Sequence, residues 1–251
     1  MLSDEEKFRF DLEGYLVIPG VLSAEECAVL SQQSDHVWPR QAQDPAFRRK
    51  ASVSRWGAEF RNLMDHPRVL AYLIELIGPR VRLDHDYAIY MRHGAESQPI
   101  HGGPMRYESD HWYHYNDGIM RNGLMVATWA LTDAGPNDGG FVCVPGSHKT
   151  NFIDRLPKTV QHQELMPEYV RQPIVKAGDV ILFTEALMHG TRAWHGDHER
   201  RVLLFKYSPP HSSWAKQGYD LADYPDATEQ QRRLMAPPSV EDHAKVAGDK
   251  S

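Results

Sequence analysis

The feature that most constrains the fold of this chain is a change of periodicity near residue 80. Before that point the signals are mostly helical. After it, short strand-like runs follow one another, each stopped by Gly, Pro, Asn or Asp. The run "VRLDHDYAIYMR" alternates, placing Val81, Leu83, His85, Tyr87, Ile89 and Met91 on one side, the period of a half-buried strand. "LMVATWALT", "GGFVCVPGS", "PIVKAGDVILF" and "RVLLFKYS" continue the series. Helices followed by many short strands predict a mainly β fold with flanking helices, a sandwich or barrel with antiparallel pairing. The 251 residues suffice for one substantial core. We therefore expect a single domain over 1–235 with a helical N-terminal layer. The polar stretch 236–251, "APPSVEDHAKVAGDKS", reads as a tail that is disordered unless it docks.

Two capping boxes mark the helical layer: Ser3 with Glu6, and Ser23 with Glu26. They predict helices starting at Asp4 and Ala24, the second running to about Val37, with "YLVIPG" as a short strand between them. A third helix is expected from Pro67 to about Ile77, with Leu70, Leu73, Ile74 and Ile77 on its core face.

The net charge of −6 argues against a protein that holds nucleic acid polymers. No run approaches the length of a membrane span, and the acidic start "MLSDEEKFRF" lacks the apolar region of a signal peptide. A cytoplasmic location, no membrane partner and a small-molecule substrate are the expectations. Oligomeric state is left open. With two widely separated cysteines, Cys27 and Cys143, neither a disulfide framework nor a cysteine metal site is expected. The 14 histidines, imidazole being the commonest side-chain metal ligand, direct attention elsewhere.

The segment "AGDVILFTEALMHGTRAWHGDHERRVLLFKYSP" has a plain layout: a strand, a loop carrying His189, a polar turn, then a strand opening with Arg200 and Arg201. In a barrel this lets His189 and one arginine face the same cavity. An imidazole-bound metal with an arginine nearby suits a cofactor that chelates at one end and carries a carboxylate at the other, because guanidinium matches carboxylate in bidentate fashion.

Three stretches carry a family resemblance: "FDLEGYLVIPGVLSAEE", "WALTDAGPNDGGFVCVPGSHK" and "GDVILFTEALMHG". Through them the chain resembles the phytanoyl-CoA dioxygenase-like branch of the iron(II)/2-oxoglutarate-dependent oxygenases. The resemblance implies a double-stranded β-helix, a cupin-like jelly roll, with iron held by H-x-D and a distal histidine. Carried over by position, the proximal histidine is His101, the distal one His189, and the arginine for the far carboxylate of 2-oxoglutarate is Arg200. Arg201 is the fallback, since alternation lets one of the two face inward. Thr128 is a further candidate for 2-oxoglutarate, as one of Thr128 and Trp129 must look inward.

The departure is at the acid, where Gly103 stands. The iron/2-oxoglutarate halogenases carry H-x-A or H-x-G, and by that resemblance Gly103 leaves a pocket for chloride on the metal. The implied cofactors are iron(II), 2-oxoglutarate, chloride and O2. The implied activity is chlorination of an unactivated C–H bond of a free small molecule, by hydrogen abstraction and chloride rebound. Other readings stay open. Gly102-Gly103 is also a tight turn with no metal, as in a binding protein on the same fold. Glu108 or Asp110 restores a carboxylate and hence a hydroxylase. His195-Gly-Asp197 and His162-Gln-Glu164 also match H-x-[DE] by letter. For substrate contact the candidates are His111 and His114 in "ESDHWYHYNDG", and Thr184 with Glu185 just before the distal histidine. His148 is expected to fix a turn. Arg92, Arg106, Arg121 and Arg192 suggest an anionic substrate, a nucleotide among the candidates.

Overall fold

The computed structural model describes residues 2–104 and 110–240. Among these, helices occupy Asp4–Glu13 (α1), Ala24–Val37 (α2), Ala58–Arg61 (α3), Pro67–Leu76 (α4), Lys158–Gln161 (α5) and Glu229–Leu234 (α6). Strands occupy Tyr15–Ile18 (β1), Phe47–Ala51 (β2), Arg82–Met91 (β3), Gln98–His101 (β4), Tyr113–Asn116 (β5), Ile119–Asn122 (β6), Met125–Ala130 (β7), Gly140–Cys143 (β8), Val180–Thr184 (β9), His189–Arg192 (β10) and Arg200–Ser208 (β11).

Both capping boxes form. At α1 the Ser3 hydroxyl accepts from the Glu6 amide at 3.2 Å while the Glu6 carboxylate accepts from the Ser3 amide at 2.7 Å. Each satisfies a donor that a helix start otherwise leaves open. In α4 the buried face is Val69, Leu70, Leu73 and Leu76, so the stripe is turned slightly from the expected one and Ile74 is only half-buried.

A large sheet runs β1-β9-β7-β11-β3-β2 and a small one β4-β10-β8, with β5-β6 as a separate hairpin. The recorded pairings are antiparallel, giving the mainly β jelly-roll architecture with flanking helices that the sequence predicts. The outer face of the large sheet packs under the helices through Ala88, Tyr90, Trp129, Leu203, Phe205 and Tyr207. Its inner face meets the small sheet through Met91, Val126, Phe141, Phe183, Val202 and Leu204. A third apolar cluster, with Ile100, Val142, Val160 and Met188, backs the small sheet.

Pairing register shifts between β10 and β4, past His189, and between β11 and β3. Lys206 pairs with His85 but Tyr207 pairs with Leu83, so Asp84 is an extra residue in β3, a β-bulge that reverses which face the chain presents. Leu83 therefore joins the helix-side core while Tyr87 faces the small sheet. Asp84 itself is buried and accepts from Arg82 (2.9 Å), His85 (2.6 Å) and the Trp214 and Ala215 amides.

The end of the domain extends further than the composition suggests. The Arg82 guanidinium donates to the Ala236 carbonyl at 3.2 Å and the Ser239 amide to the Pro210 carbonyl at 2.7 Å, so residues 236–240 lie on the body. Residues 241–251 of the expected tail fall outside the described ones. Cys27 and Cys143 are both free and buried. No helix among the described residues is long and apolar enough to cross a membrane.

Candidate metal centre and co-substrate pocket

His101 ends β4 and His189 begins β10, and the two are direct partners in the small sheet, with ring centroids 4.4 Å apart. Each ring is oriented by the backbone. The His101 Nδ1–H donates to the Pro99 carbonyl at 2.9 Å and the His189 Nδ1–H to the Leu187 carbonyl at 2.8 Å. A carbonyl can only accept, so both imidazoles keep Nε2 as the lone-pair end, the arrangement that outer hydrogen bonds impose on metal-binding histidines. Burial pushes the His189 imidazole down to about 4, which keeps it neutral and able to ligate.

A carboxylate lies beside them. The turn from β9 to β10 carries Glu185, whose Oε2 is 3.9 Å from His189 Nε2 and 3.7 Å from His111 Nε2. Its Oε1 accepts from Lys206 Nζ at 2.5 Å. Burial alone raises a carboxyl group, but Lys206 and the imidazole of His189 outweigh it and hold Glu185 at about 2. Glu185 is thus ionised. His101, Glu185 and His189 line one cavity of about 310 Å³. Among the described residues no three His, Cys, Asp or Glu side chains have closed around a single point; these three flank a shared space instead.

Opposite the histidines the same cavity is lined by Arg200, Thr128, Val202 and Leu204. Arg200 is 5% exposed, and its recorded polar contact is to the Met91 sulfur at 3.4 Å. Burial lowers it to about 10, so it stays a cation with no carboxylate partner among the described residues. Such a charge is costly unless something pairs with it. The Thr128 hydroxyl, also buried, has no hydrogen-bond partner. Arg201 points the other way and is paired with Asp35 and Glu199. Trp129 lies in the helix-side core.

These observations test whether iron and 2-oxoglutarate suit the residues present. Two imidazoles and one carboxylate are the donor set of the facial triad that leaves positions open on iron. An unpaired buried guanidinium and an unpaired hydroxyl across the cavity suit a carboxylate held at the far end of a chelating diacid. The fit is good on both counts.

Several sequence expectations are corrected. A Cβ on Gly103 would meet Ile153 and Met188 at 3.2 to 3.3 Å. That position points into the apolar cluster behind the small sheet and does not line the cavity, so the halide pocket assigned to Gly103 loses its support. Asp110 is turned to Ser208, whose hydroxyl it accepts at 3.2 Å, and is not beside the histidines. Glu108 lies outside the described residues, as does Arg106. The Thr184 hydroxyl accepts from the Ala186 amide at 3.3 Å, closing the turn without reaching the cavity. His114 is exposed on the β5-β6 hairpin against Trp112. Asp197 is fully exposed. The other arginines are engaged away from the cavity: Arg92 with Glu199, Arg121 with the Glu75 carbonyl, Arg192 with Gln172. His148 ties its turn to α1 through the Asp11 carbonyl at 3.1 Å.

His111 comes near the centre through Glu185, whose Oε2 is 3.7 Å from its Nε2, and is buried and stacked on Trp214 with ring centroids 4.9 Å apart. The position of Glu185 beside the histidines is what the H-x-D pattern does not show. Its only sequence signal is the spacing Glu-x-x-x-His ahead of the distal histidine. A second cavity of about 320 Å³ shares Arg49 and Tyr87 with the first, and Asp84, His85, Asp86 and Tyr219 line it further out. The Arg49 guanidinium lies 3.9 Å over the Tyr87 ring, so the two form the common wall.

A jelly roll with two histidines on one sheet and an arginine facing them from the other defines the class of iron(II)/2-oxoglutarate-dependent oxygenases. The chain belongs to the phytanoyl-CoA dioxygenase family, whose pattern matches residues 10–202. It is similar to the ectoine dioxygenase of Bordetella bronchiseptica, 23% identical over 94% of this chain and 85% of the relative. Among solved structures it is similar to HygX from Streptomyces hygroscopicus with nickel and 2-oxoglutarate bound, at 28% identity and a TM-score of 0.75, covering 86% of this chain and 90% of that one. The HygX structure with nickel, 2-oxoglutarate and hygromycin B bound matches at 27% identity and a TM-score of 0.76, over 85% and 90% of the two chains.

Proposed function

We propose that this protein is an iron(II)/2-oxoglutarate-dependent oxygenase that oxidises a C–H bond of a polar small molecule. In this reading His101, His189 and Glu185 hold the metal while Arg200 and Thr128 hold 2-oxoglutarate. The observation that carries it is the Glu185 carboxylate, 3.9 Å from His189 and in the same cavity as His101. This is the hydroxylase reading with a displaced carboxylate, supplied by neither Glu108 nor Asp110. Iron with 2-oxoglutarate and O2 supplies an oxidant strong enough for an unactivated C–H bond, with succinate and carbon dioxide as co-products.

The residues of this chain do the positioning. The two carbonyl-fixed imidazoles and Glu185 would hold the metal from the side of the cavity they line. Arg200 pairs with the distal carboxylate of 2-oxoglutarate, and Thr128 donates beside it. Phe141, Phe183, Val202 and Leu204 keep water out of the pocket. The outer wall, with Arg49, His85, Asp84, Asp86 and Tyr87, supports a substrate with hydrogen-bonding groups of both signs, where the arginine count alone suggested an anionic one. The bound ligands of HygX support both the cofactor assignment and a polar small molecule as substrate.

Chlorination remains the second reading, and no feature of the site favours it: Glu185 supplies the negative charge that a halide would bring, and Gly103 faces Ile153. The test is an anaerobic optical titration of the iron(II)-loaded protein with 2-oxoglutarate, with and without chloride, on wild type and Glu185→Gln. We expect a charge-transfer band indifferent to chloride in wild type, and in the variant at least a tenfold loss of iron affinity, since losing even a partner that only orients a ligand costs about 10- to 100-fold. A band that shifts with chloride in both proteins would overturn the hydroxylase reading and restore the halogenase.

A further inference from the structure

Lys206 is a charged residue at an inward-facing position. Along β11 the inward side chains are Arg200, Val202, Leu204 and Lys206, the first three lining the metal cavity. Lys206 pairs across the sheet with Val126 on β7 and His85 on β3. Its side chain is 11% exposed and that of Glu185 4% exposed. A lysine this deep is held by a partner, and here the partner is the carboxylate beside the histidines. The ammonium also lies 5.6 Å from the Tyr87 ring centre, which adds a cation–π contact. Two neighbouring elements thus fix where the ammonium sits.

The division of the carboxylate is what matters. Lys206 takes Oε1 at 2.5 Å, and the oxygen near the imidazoles is Oε2, 3.9 Å from His189 Nε2. A carboxylate on a metal can bind through one oxygen or chelate through both. Two imidazoles and a single oxygen leave room for a chelating 2-oxoglutarate and for O2. A second oxygen from Glu185 would take up one of those positions. A charge-assisted hydrogen bond is among the strong ones, and this one would have to break for Oε1 to reach the metal.

We infer that Lys206 is a positioning residue that confines Glu185 to one metal-binding oxygen and so keeps a coordination position open for the co-substrate. The inference rests on the reading of Glu185 as the metal carboxylate. Lys206 touches neither substrate nor metal; it acts through Glu185.

The experiment compares wild type, Glu185→Gln, Lys206→Met and Lys206→Arg, each loaded anaerobically with cobalt(II) and then titrated with 2-oxoglutarate. Cobalt affinity reports the ligand set, the cobalt absorption spectrum reports coordination number, and the 2-oxoglutarate titration reports open positions. In Lys206→Met we expect cobalt affinity to stay within about threefold of wild type while 2-oxoglutarate affinity falls about tenfold or more, the scale of outer-contact effects at metal sites. The spectrum should show the change of coordination before 2-oxoglutarate is added, and Lys206→Arg should restore most of the affinity. Glu185→Gln that binds cobalt as wild type does would show that Glu185 is not a ligand, which removes the premise. If Glu185→Gln loses cobalt but Lys206→Met binds 2-oxoglutarate normally, or loses cobalt as well, the premise survives and the role of Lys206 is overturned. Should Lys206→Met not fold, Lys206→Gln, too short to reach Oε1, carries the same expectation and the same refutation.

Discussion

The most informative single residue is Arg200, a cation placed where the fold gives it no counter-ion. Its lowered pKa, about 10, comes from burial alone. Arg200→Met should therefore act in opposite directions on stability and on function. Without ligand the variant loses an uncompensated buried charge and should melt higher. With ligand it loses a charge-assisted contact of about 1.5–3 kcal/mol, so 2-oxoglutarate affinity should fall roughly 10- to 100-fold while metal affinity is unchanged. Thermal melts and an anaerobic titration check the two halves separately. At this scale the sequence was readable where chain geometry narrowed the matter: alternation requires Arg200 and Arg201 to face opposite ways, and the family resemblance then pointed to Arg200. It was only partly readable for Glu185: the spacing Glu-x-x-x-His marks the residue, but whether its carboxylate comes near the histidines depends on how the β9–β10 turn folds back between two sheets.

Among the elements, β8 shows how closely a strand can approach its neighbour. Gly140 has φ +87°, and a Cβ there would stand 2.7 Å from Arg200 Nε. Gly140, which opens the strand, therefore makes room for Arg200, while Gly139 before it lies against the Ala193 carbonyl. Gly140→Ala should cost about 1–3 kcal/mol of stability through backbone strain and weaken 2-oxoglutarate binding with little change at the metal. Equilibrium unfolding together with both titrations would check this, and full 2-oxoglutarate affinity in the variant would contradict the placement. Helix starts were legible because Ser3 and Ser23 carry their caps in sequence. The face of β3 was legible only beyond the bulge. Besides its neighbours Arg82 and His85, Asp84 reaches the Ser208 hydroxyl and the Trp214 and Ala215 amides far along the chain, and periodicity has no means of anticipating these.

At the scale of the molecule, packing of the helical layer against the barrel sets a pH dependence. Burial, aided by Lys149, lowers the His148 imidazole to about 4 in the fold, against about 6.5 unfolded. A depressed folded value means the unfolded chain binds the proton more readily. The contribution is thus fully present above about pH 6.5 and is lost as pH falls towards 4, amounting to about 3 kcal/mol at most. His148→Gln should flatten the difference in stability across that window, as measured by urea unfolding of both proteins at several pH values. The succession of short strands made a mainly β sandwich or barrel legible, and the family resemblance narrowed it to a jelly roll. The pairings themselves, such as β1 with β9 and β3 with β11, join segments far apart in sequence, and no local pattern records them. Nor was the docking of residues 236–240 legible, since it depends on carbonyls meeting Arg82 and the Pro210 loop.

One consequence follows from which sheet carries which group. His101 and His189 belong to the small sheet, Arg200, Thr128 and Lys206 to the large one, and Glu185 rides the turn that crosses between them. The two sheets therefore work like the jaws of a caliper whose opening is read at both ends. In the proposed reading, metal seated on one jaw would set the gap for the diacid on the other. By thermodynamic reciprocity, whatever factor the metal adds to diacid binding the diacid would add to metal binding.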